Sequence, residues 1–445
     1  MGILSARLRP GAALRSILIA VLACVPAAVS ASGAAGADPA CAGTWRLHDG
    51  RDLDLALTED MHYRWRMKDG TSGKLSPEPG GGWRSTLGWT GRDDGHRVHL
   101  DGCAAGRIAF DGVEGRRLAL HTVDTQFEVP GATLAGRLVL PPGDDPVPIV
   151  VLVHGAERSS ARDHYALQRL FPSAGIGAFV YDKRGTGGST GRYTQDFLVL
   201  ANDAIAAKHE ALRLAGARAA TVGYQAGSQG GWVAPLAATI EPVDFVVVSF
   251  GLAVSPLDED RAAIVLDMER HGYGPEVVEK AMEVADATAE ILRSGFREGY
   301  ERLDAVRGRY GAEPWFARVR GNISFFLLEH DEATLRDVGP TLFPGAPVDY
   351  DPMPVLRNLR VPQLWILGGQ DIDAPHEETA RRLRALGAHG APIRLTVFPE
   401  AEHGMYEFEV GADGKRLSTR QPEQYFPLMR DFILSAGKAN AGKQP

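Results

Sequence analysis

Six short, almost uninterrupted apolar runs, at residues 149–153, 177–181, 221–224, 245–250, 364–367 and 393–398, are separated by stretches of helical periodicity at 165–171, 197–214, 232–240 and 377–386. Strands that are apolar throughout bury both faces, and strands that alternate with helices are joined by crossovers. The pattern therefore selects a mostly parallel sheet with helices on both faces. A further run, residues 133–140, alternates apolar with polar and stops at Pro141-Pro142, which reads as an antiparallel strand. In such sheets ligands sit at the carboxyl ends of the strands. One interval breaks the alternation. Residues 251–360 are mostly helical, at 258–270, 275–293 and 332–338, and would lie over the strand ends as a lid.

The chain ahead of the sheet has a different texture. Short alternating runs such as Leu53-Asp54-Leu55-Ala56-Leu57 and Tyr63-Arg64-Trp65-Arg66-Met67 are punctuated by Asp69-Gly70, Asp94-Gly95 and Asp111-Gly112. These are strand and turn signals, and they predict a small antiparallel β domain. Trp45, Trp65, Trp83 and Trp89 are expected in its core rather than on a ligand-binding surface. Before it, Arg7, Arg9 and Arg15 precede an apolar stretch, residues 17–24, too short to span a bilayer, and small residues follow to Ala37. This is an export signal, cleaved after Ala31 or Ala37, so the mature protein is expected to be periplasmic or secreted, with no stable membrane span. Val21-Leu22-Ala23-Cys24 is a poor match to a lipoprotein processing site because of Leu22. With Cys24 in the signal, Cys41 and Cys103 remain as an even pair in an exported protein and are expected to form a disulfide.

The expected segments are thus a signal (1–37), a β-rich domain (38–123), the first part of the α/β core (124–250), the lid (251–360), the second part of the core (361–437) and a tail (438–445). A net charge of −8 gives no footprint for nucleic acid. No Cys/His spacing resembles a zinc site, and neither a metal nor an organic cofactor is expected.

The chemistry concentrates in residues 219–236, AATVGYQAGSQGGWVAPL, which read as strand, sharp elbow and helix around Ser228. A serine hydroxyl is a poor nucleophile, and needs exposure, a base and N–H groups aimed at the developing oxyanion. Ala226 and Gly230, two positions to either side, leave room for a strained turn, although the usual pattern has glycine at the first of them. Gln229 would offer one oxyanion N–H. His154-Gly155-Ala156 follows the first parallel strand, and Ala156 is assigned the second, with His154 holding the loop. Asp182 to Gly191, DKRGTGGSTG, ends in no Gly-Lys-Ser/Thr and reads as a tight connection at the rim of the site rather than a phosphate loop. Asp371, with Asp373 as the alternative, lies after the next strand and can orient a histidine. His403 follows the last strand and can act as the base.

The order Ser, Asp, His along the chain, with HGAE, YDKRGTGGSTG, GSQGGWVAPLAA, GGQDIDAP and EHG, resembles the α/β-hydrolase superfamily, and within it bacterial exported hydrolases described as serine aminopeptidase-like or esterase-like. The resemblance covers roughly residues 125–436. It implies Ser228 as nucleophile, His403 as base, Asp371 as orienting acid, and Ala156 and Gln229 as oxyanion donors. The expected activity is hydrolysis of carboxylic esters of small or medium acyl groups through an acyl-enzyme. A peptidase or amidase is the alternative, for which Glu157, Asp258, Glu259 or Asp260 could anchor a free amino terminus. The third reading is a non-catalytic binding protein on a hydrolase scaffold.

Overall fold

The computed structural model describes residues 37–441. The export signal expected from the sequence, Cys24 included, lies outside the described residues save for Ala37. The tail expected from residue 438 lies partly outside them, since a helix spans Tyr425–Ala441 and residues 442–445 are not described.

Eight antiparallel strands close into a barrel: β1 (Gly43–Leu47), β2 (Asp52–Leu57), β3 (Tyr63–Met67), β4 (Ser72–Pro77), β5 (Trp83–Leu87), β6 (Asp93–His99), β7 (Arg107–Phe110) and β8 (Val113–Arg117). Closure comes from β1 pairing with β8, Trp45 opposite Arg117 and Leu47 opposite Gly115, which removes the exposed edges. The interior is filled by Trp45, Leu53, Leu55, Trp65, Val98 and Phe110 among others. Buried indoles keep hydrogen-bond partners, Trp65 Nε1 donating to Ser85 Oγ (2.8 Å) and Trp45 Nε1 to the Cys41 carbonyl (3.2 Å). Trp83 is half-buried against Tyr63, with ring centroids 4.9 Å apart. Trp89 departs from the expected core placement: it is exposed, with the Arg64 guanidinium 4.3 Å above its ring. The Cys41–Cys103 disulfide is present. It closes a sequence separation of 62 residues, which in a loop-entropy account stabilises the fold by about 4 kcal/mol.

The second sheet has eight strands: β9 (His121–Val129), β10 (Ala132–Leu140), β11 (Val147–Val153), β12 (Gly177–Tyr181), β13 (Ala219–Gly227), β14 (Phe245–Ser249), β15 (Gln363–Gly368) and β16 (Ile393–Phe398). Their spatial order is β9-β10-β12-β11-β13-β14-β15-β16. All pairs from β12 to β16 are parallel, while β10 runs antiparallel to both β9 and β12. The boundary placed at residue 123 by the sequence falls inside β9, which belongs to this sheet. Helix Phe197–Ala215 presents Ala201, Ala204, Ala207 and Ala211, all fully buried, so one small-residue stripe lets the helix approach the sheet closely. Its start is capped by Asp196, whose side chain accepts from the Leu198 and Val199 amides.

Between β14 and β15 the helices Pro256–Arg270, Pro275–Arg293, Tyr300–Tyr310, Ser324–Glu329, Glu332–Leu342 and Met353–Asn358 form the insertion. It carries an apolar core of its own, including Ile264, Val284, Ile291, Leu303 and Leu327. Among the described residues no helix is long and apolar enough to cross a membrane.

The barrel is seated on the α/β part along two lines. Buried Asp54 pairs with Arg169, and Lys68 Nζ donates to the Ser173 carbonyl (2.8 Å). Farther along the chain, β17 (Phe408–Val410) and β18 (Arg416–Ser418) form a hairpin against which the barrel packs. The Trp89 amide donates to the Ser418 carbonyl (2.8 Å), the Gln421 amide to the Gly70 carbonyl (2.9 Å), and Arg92 pairs with Glu409 (2.7 Å). A side chain at Gly88 would place its Cβ 2.2 Å from the Ser418 carbonyl oxygen, so this approach requires glycine.

Candidate active site

Ser228 follows directly on β13 and precedes helix Gly230–Ile240. Its φ is +51°, the left-handed region that a residue with a Cβ enters at a strain of about 1–3 kcal/mol. The turn is held by the Ser228 amide on the Ser249 carbonyl (3.2 Å) and the Gly231 amide on the Ser228 carbonyl (2.7 Å). A Cβ at Gly230 would lie 2.3 Å from the Val153 carbonyl oxygen and 3.3 Å from the Ala226 methyl. Close crossing therefore depends on glycine at 230, and with glycine there a methyl at 226 is accommodated. This explains the departure at Ala226.

The loop after β11 comes up beside the serine. A side chain at Gly155 would sit 3.2 Å from Ser228 Cβ and 2.7 Å from a Glu157 carboxylate oxygen. Ala156 is exposed at the site, and Gln229 is the first residue of the turn into the helix. Among the described residues neither of these two backbone N–H groups donates to another group, which leaves both available to a ligand oxygen. His154 is buried and its ring packs on Tyr165 and Tyr181; burial holds it below the ordinary imidazole range, so it is neutral.

The other two residues follow β15 and β16, neighbouring strands at one edge of the sheet. His403 Nε2 lies 3.1 Å from Ser228 Oγ and its Nδ1 lies 2.9 Å from Asp371 Oδ2. A proton on Nδ1 donated to Asp371 leaves Nε2 free to accept the serine hydroxyl. Asp371 is buried, and its other oxygen accepts from the Asp373 amide (3.0 Å) and the Ala374 amide (2.8 Å). Asp373 gives this hydrogen-bond line only its backbone amide; its side chain is exposed, and it is Asp371 that meets the imidazole. The Phe250 ring stands edge-on to His403 at 4.9 Å.

Burial pulls the His403 imidazole down, but the hydrogen bond and charge of Asp371, with the charges of Asp373 and Glu259, outweigh it and raise the ring to about 9. A base must be neutral to accept a proton, so kcat/KM is expected to rise with pH through this range. Asp373→Asn removes one charge that favours the imidazolium. The acid limb of a kcat/KM profile should move to lower pH, by roughly half a unit because the exposed charge acts through solvent. An unmoved or raised limb would contradict the assignment of that charge.

Three of the acidic residues singled out in the sequence are already engaged. Glu157 accepts the Tyr165 hydroxyl and stands 3.4 Å from His154 Nδ1. Buried Asp260 accepts the Ile323 and Ser324 amides (2.7 and 2.9 Å), and exposed Asp258 lies 3.8 Å from Arg261. Glu259 is different. It is half-buried on the first helix of the insertion, accepts from Asn322 Nδ2 (3.1 Å), and burial pushes it up to about 8, with the charges of His403, Asp260 and Asp371 also acting on it. Asn322 also donates to the Asp373 carbonyl, which ties the insertion to the loop of Asp371. Asn322 and Phe250 carried no signal in the sequence, being ordinary residues in a helical and an apolar stretch.

No family model matches the chain. Esterase FrsA of Enterobacter sp. (strain 638) is 30% identical over 217 residues, 47% of this chain, and the chain spans half the length of that relative. Among solved structures, the Pyrococcus furiosus esterase Pf2001 is similar with a TM-score of 0.45 and 14% identity, covering 71% of this chain and 91% of that one. The Pyrococcus horikoshii acylaminoacyl peptidase has a TM-score of 0.43 and 15% identity, covering 86% of this chain and 55% of that one.

Proposed function

We propose that the chain is a hydrolase of the α/β-hydrolase superfamily and that it hydrolyses carboxylic esters of small or medium acyl groups through an acyl-enzyme on Ser228. The observation that carries this reading is the continuous line Ser228–His403–Asp371 at the strand ends, with Ser228 held in a left-handed elbow. In this reading His403 takes the Ser228 proton as Oγ attacks the acyl carbonyl, and the oxyanion forms against the Ala156 and Gln229 N–H groups. His403 then returns the proton to the leaving alcohol. Water attacks the acyl-enzyme with the same base, releasing the acid and restoring Ser228. The name of the FrsA relative supports ester chemistry. The Cys41–Cys103 bridge supports an oxidising, extracytoplasmic setting, in keeping with the export signal expected from the sequence.

A second reading, a peptidase acting on a free amino terminus, is favoured by one observation. Glu259 is an acidic side chain of the insertion that shares the electrostatic field of His403 and Asp371. A substrate ammonium beside it would draw the carboxyl into its ionised form and gain a charge-assisted hydrogen bond.

One experiment separates the two. Wild-type protein is assayed on p-nitrophenyl esters of increasing chain length beside aminoacyl p-nitroanilides. The expected result is ester turnover with a maximum at short or medium chains and little turnover of the anilides. Anilide turnover that exceeds ester turnover would move the assignment to the peptidase.

A further inference from the structure

A buried cation stands behind the loop of Ala156, and the mechanism above gives it no role. Lys183, the second residue after β12, is 3% exposed and makes no ion pair within 4 Å among the described residues. Taking an ammonium out of water without a counter-ion is costly, and burial accordingly pushes Lys183 down to about 8, with Glu157 drawing it up and Arg158 lowering it. Its partners are specific. The Nζ donates to the Gly155 carbonyl and lies 5.1 Å from the centroid of the Tyr193 ring. The Tyr193 hydroxyl donates to the next carbonyl along, that of Ala156 (2.6 Å). The backbone that delivers Lys183 is itself fixed, since buried Asp182 accepts from Ser160 Oγ (2.9 Å), the Arg162 amide (3.1 Å) and the Gly188 amide (2.9 Å).

The Gly155 carbonyl and the Ala156 N–H belong to one planar trans peptide group and point in opposite directions. Anchoring the oxygen therefore aims the hydrogen. A cation on the oxygen also withdraws electron density across the amide, which makes the N–H a stronger donor to an anion. We infer that Lys183 and Tyr193 clamp the two successive peptide groups of the oxyanion loop, and that Lys183 is a positioning residue which aims and polarises the Ala156 N–H toward the developing oxyanion. The inference rests on the hydrolase reading of the same site. It also gives a purpose to the YDKRGTGGSTG segment: Thr186 closes a turn on the Lys183 carbonyl through its amide (3.0 Å) and its hydroxyl (2.9 Å).

The clamp acts when charge develops on the substrate oxygen, so its loss belongs in kcat rather than in KM. In the full-length protein, Lys183→Met is expected to lower kcat on the preferred p-nitrophenyl ester by roughly 10- to 100-fold with KM within about twofold. Tyr193→Phe, which removes one hydroxyl, should lower kcat by a smaller factor, about 3- to 10-fold. Lys183→Arg keeps a charge at every working pH and should recover part of the rate. Unchanged kcat in Lys183→Met, or a loss carried wholly by KM, overturns the clamp. If Lys183→Met does not fold, as judged by its thermal transition, Tyr193→Phe decides, and unchanged kcat in that variant overturns it equally. Wild-type turnover with these variants unaffected removes the clamp alone. Wild type without turnover and without fluorophosphonate labelling of Ser228 removes the hydrolase reading and the clamp with it.

Discussion

Replacing Ser228 by alanine is expected to lower kcat on the preferred ester by about 10⁴-fold or more, leaving what the oxyanion donors and binding supply by themselves. The elbow makes this a clean experiment. Alanine retains the Cβ that strains the left-handed turn, so neither the strain nor the packing against Gly155 changes, and the thermal transition should stay within a few degrees of wild type. Fluorophosphonate labelling should disappear together with turnover. A variant that keeps its rate would show that the chemistry runs through another nucleophile. A protein acting only as a binder on this scaffold would keep its function in the same variant.

Asp371→Asn is expected to fall nearly as far, about 10⁴-fold in kcat, although it changes one atom. Oδ1 of Asp371 is already fixed by the Asp373 and Ala374 amides. An asparagine at this position must direct its carbonyl oxygen at those two donors, and so its NH₂ faces His403 Nδ1. A donor opposite Nδ1 forces the imidazole proton onto Nε2, where it faces Ser228 Oγ instead of accepting from it. The base is then lost by tautomer while the geometry survives. Asp373→Asn serves as the contrast, since its side chain does not touch the ring and only the acid limb should shift. If Asp373→Asn proves the crippling change and Asp371→Asn the mild one, the orienting carboxylate has been misassigned.

Parts of this architecture are legible in the sequence because local patterns determine them. β11, β12 and β14 lie inside the sheet with both faces covered and are apolar almost throughout, and the runs seen in the sequence fall on them within one or two residues. Ser228, Asp371 and His403 stand out because each follows such a run. Other features depend on pairing at a distance. Closure of the barrel requires Trp45 to meet Arg117, and no window of the sequence contains both. β9 alternates like the barrel strands that precede it, so only its pairing with β10 assigns it to the second sheet. Trp89 has the composition of a core residue, but its partners are Arg64 and the hairpin after His403. Lys183 sits in a glycine-rich stretch that reads as a tight connection at the rim of the site, and its side chain is held by Tyr193 and the loop of Gly155 together.

The seating of the barrel on the hairpin after His403 bears on the order in which the molecule is made. Residues 43–117 find part of their docking surface in residues 408–421, which are made after every strand of the second sheet. Arg64, whose guanidinium also lies 5.2 Å from the Tyr406 ring, waits for a partner three residues beyond His403. A nascent chain can form the serine elbow before this, but Ser228 then has no His403 beside it. His403 and the hairpin that follows it are made close together, so a chain that stops short of them lacks both the Ser228–His403 contact and that part of the seat of the barrel.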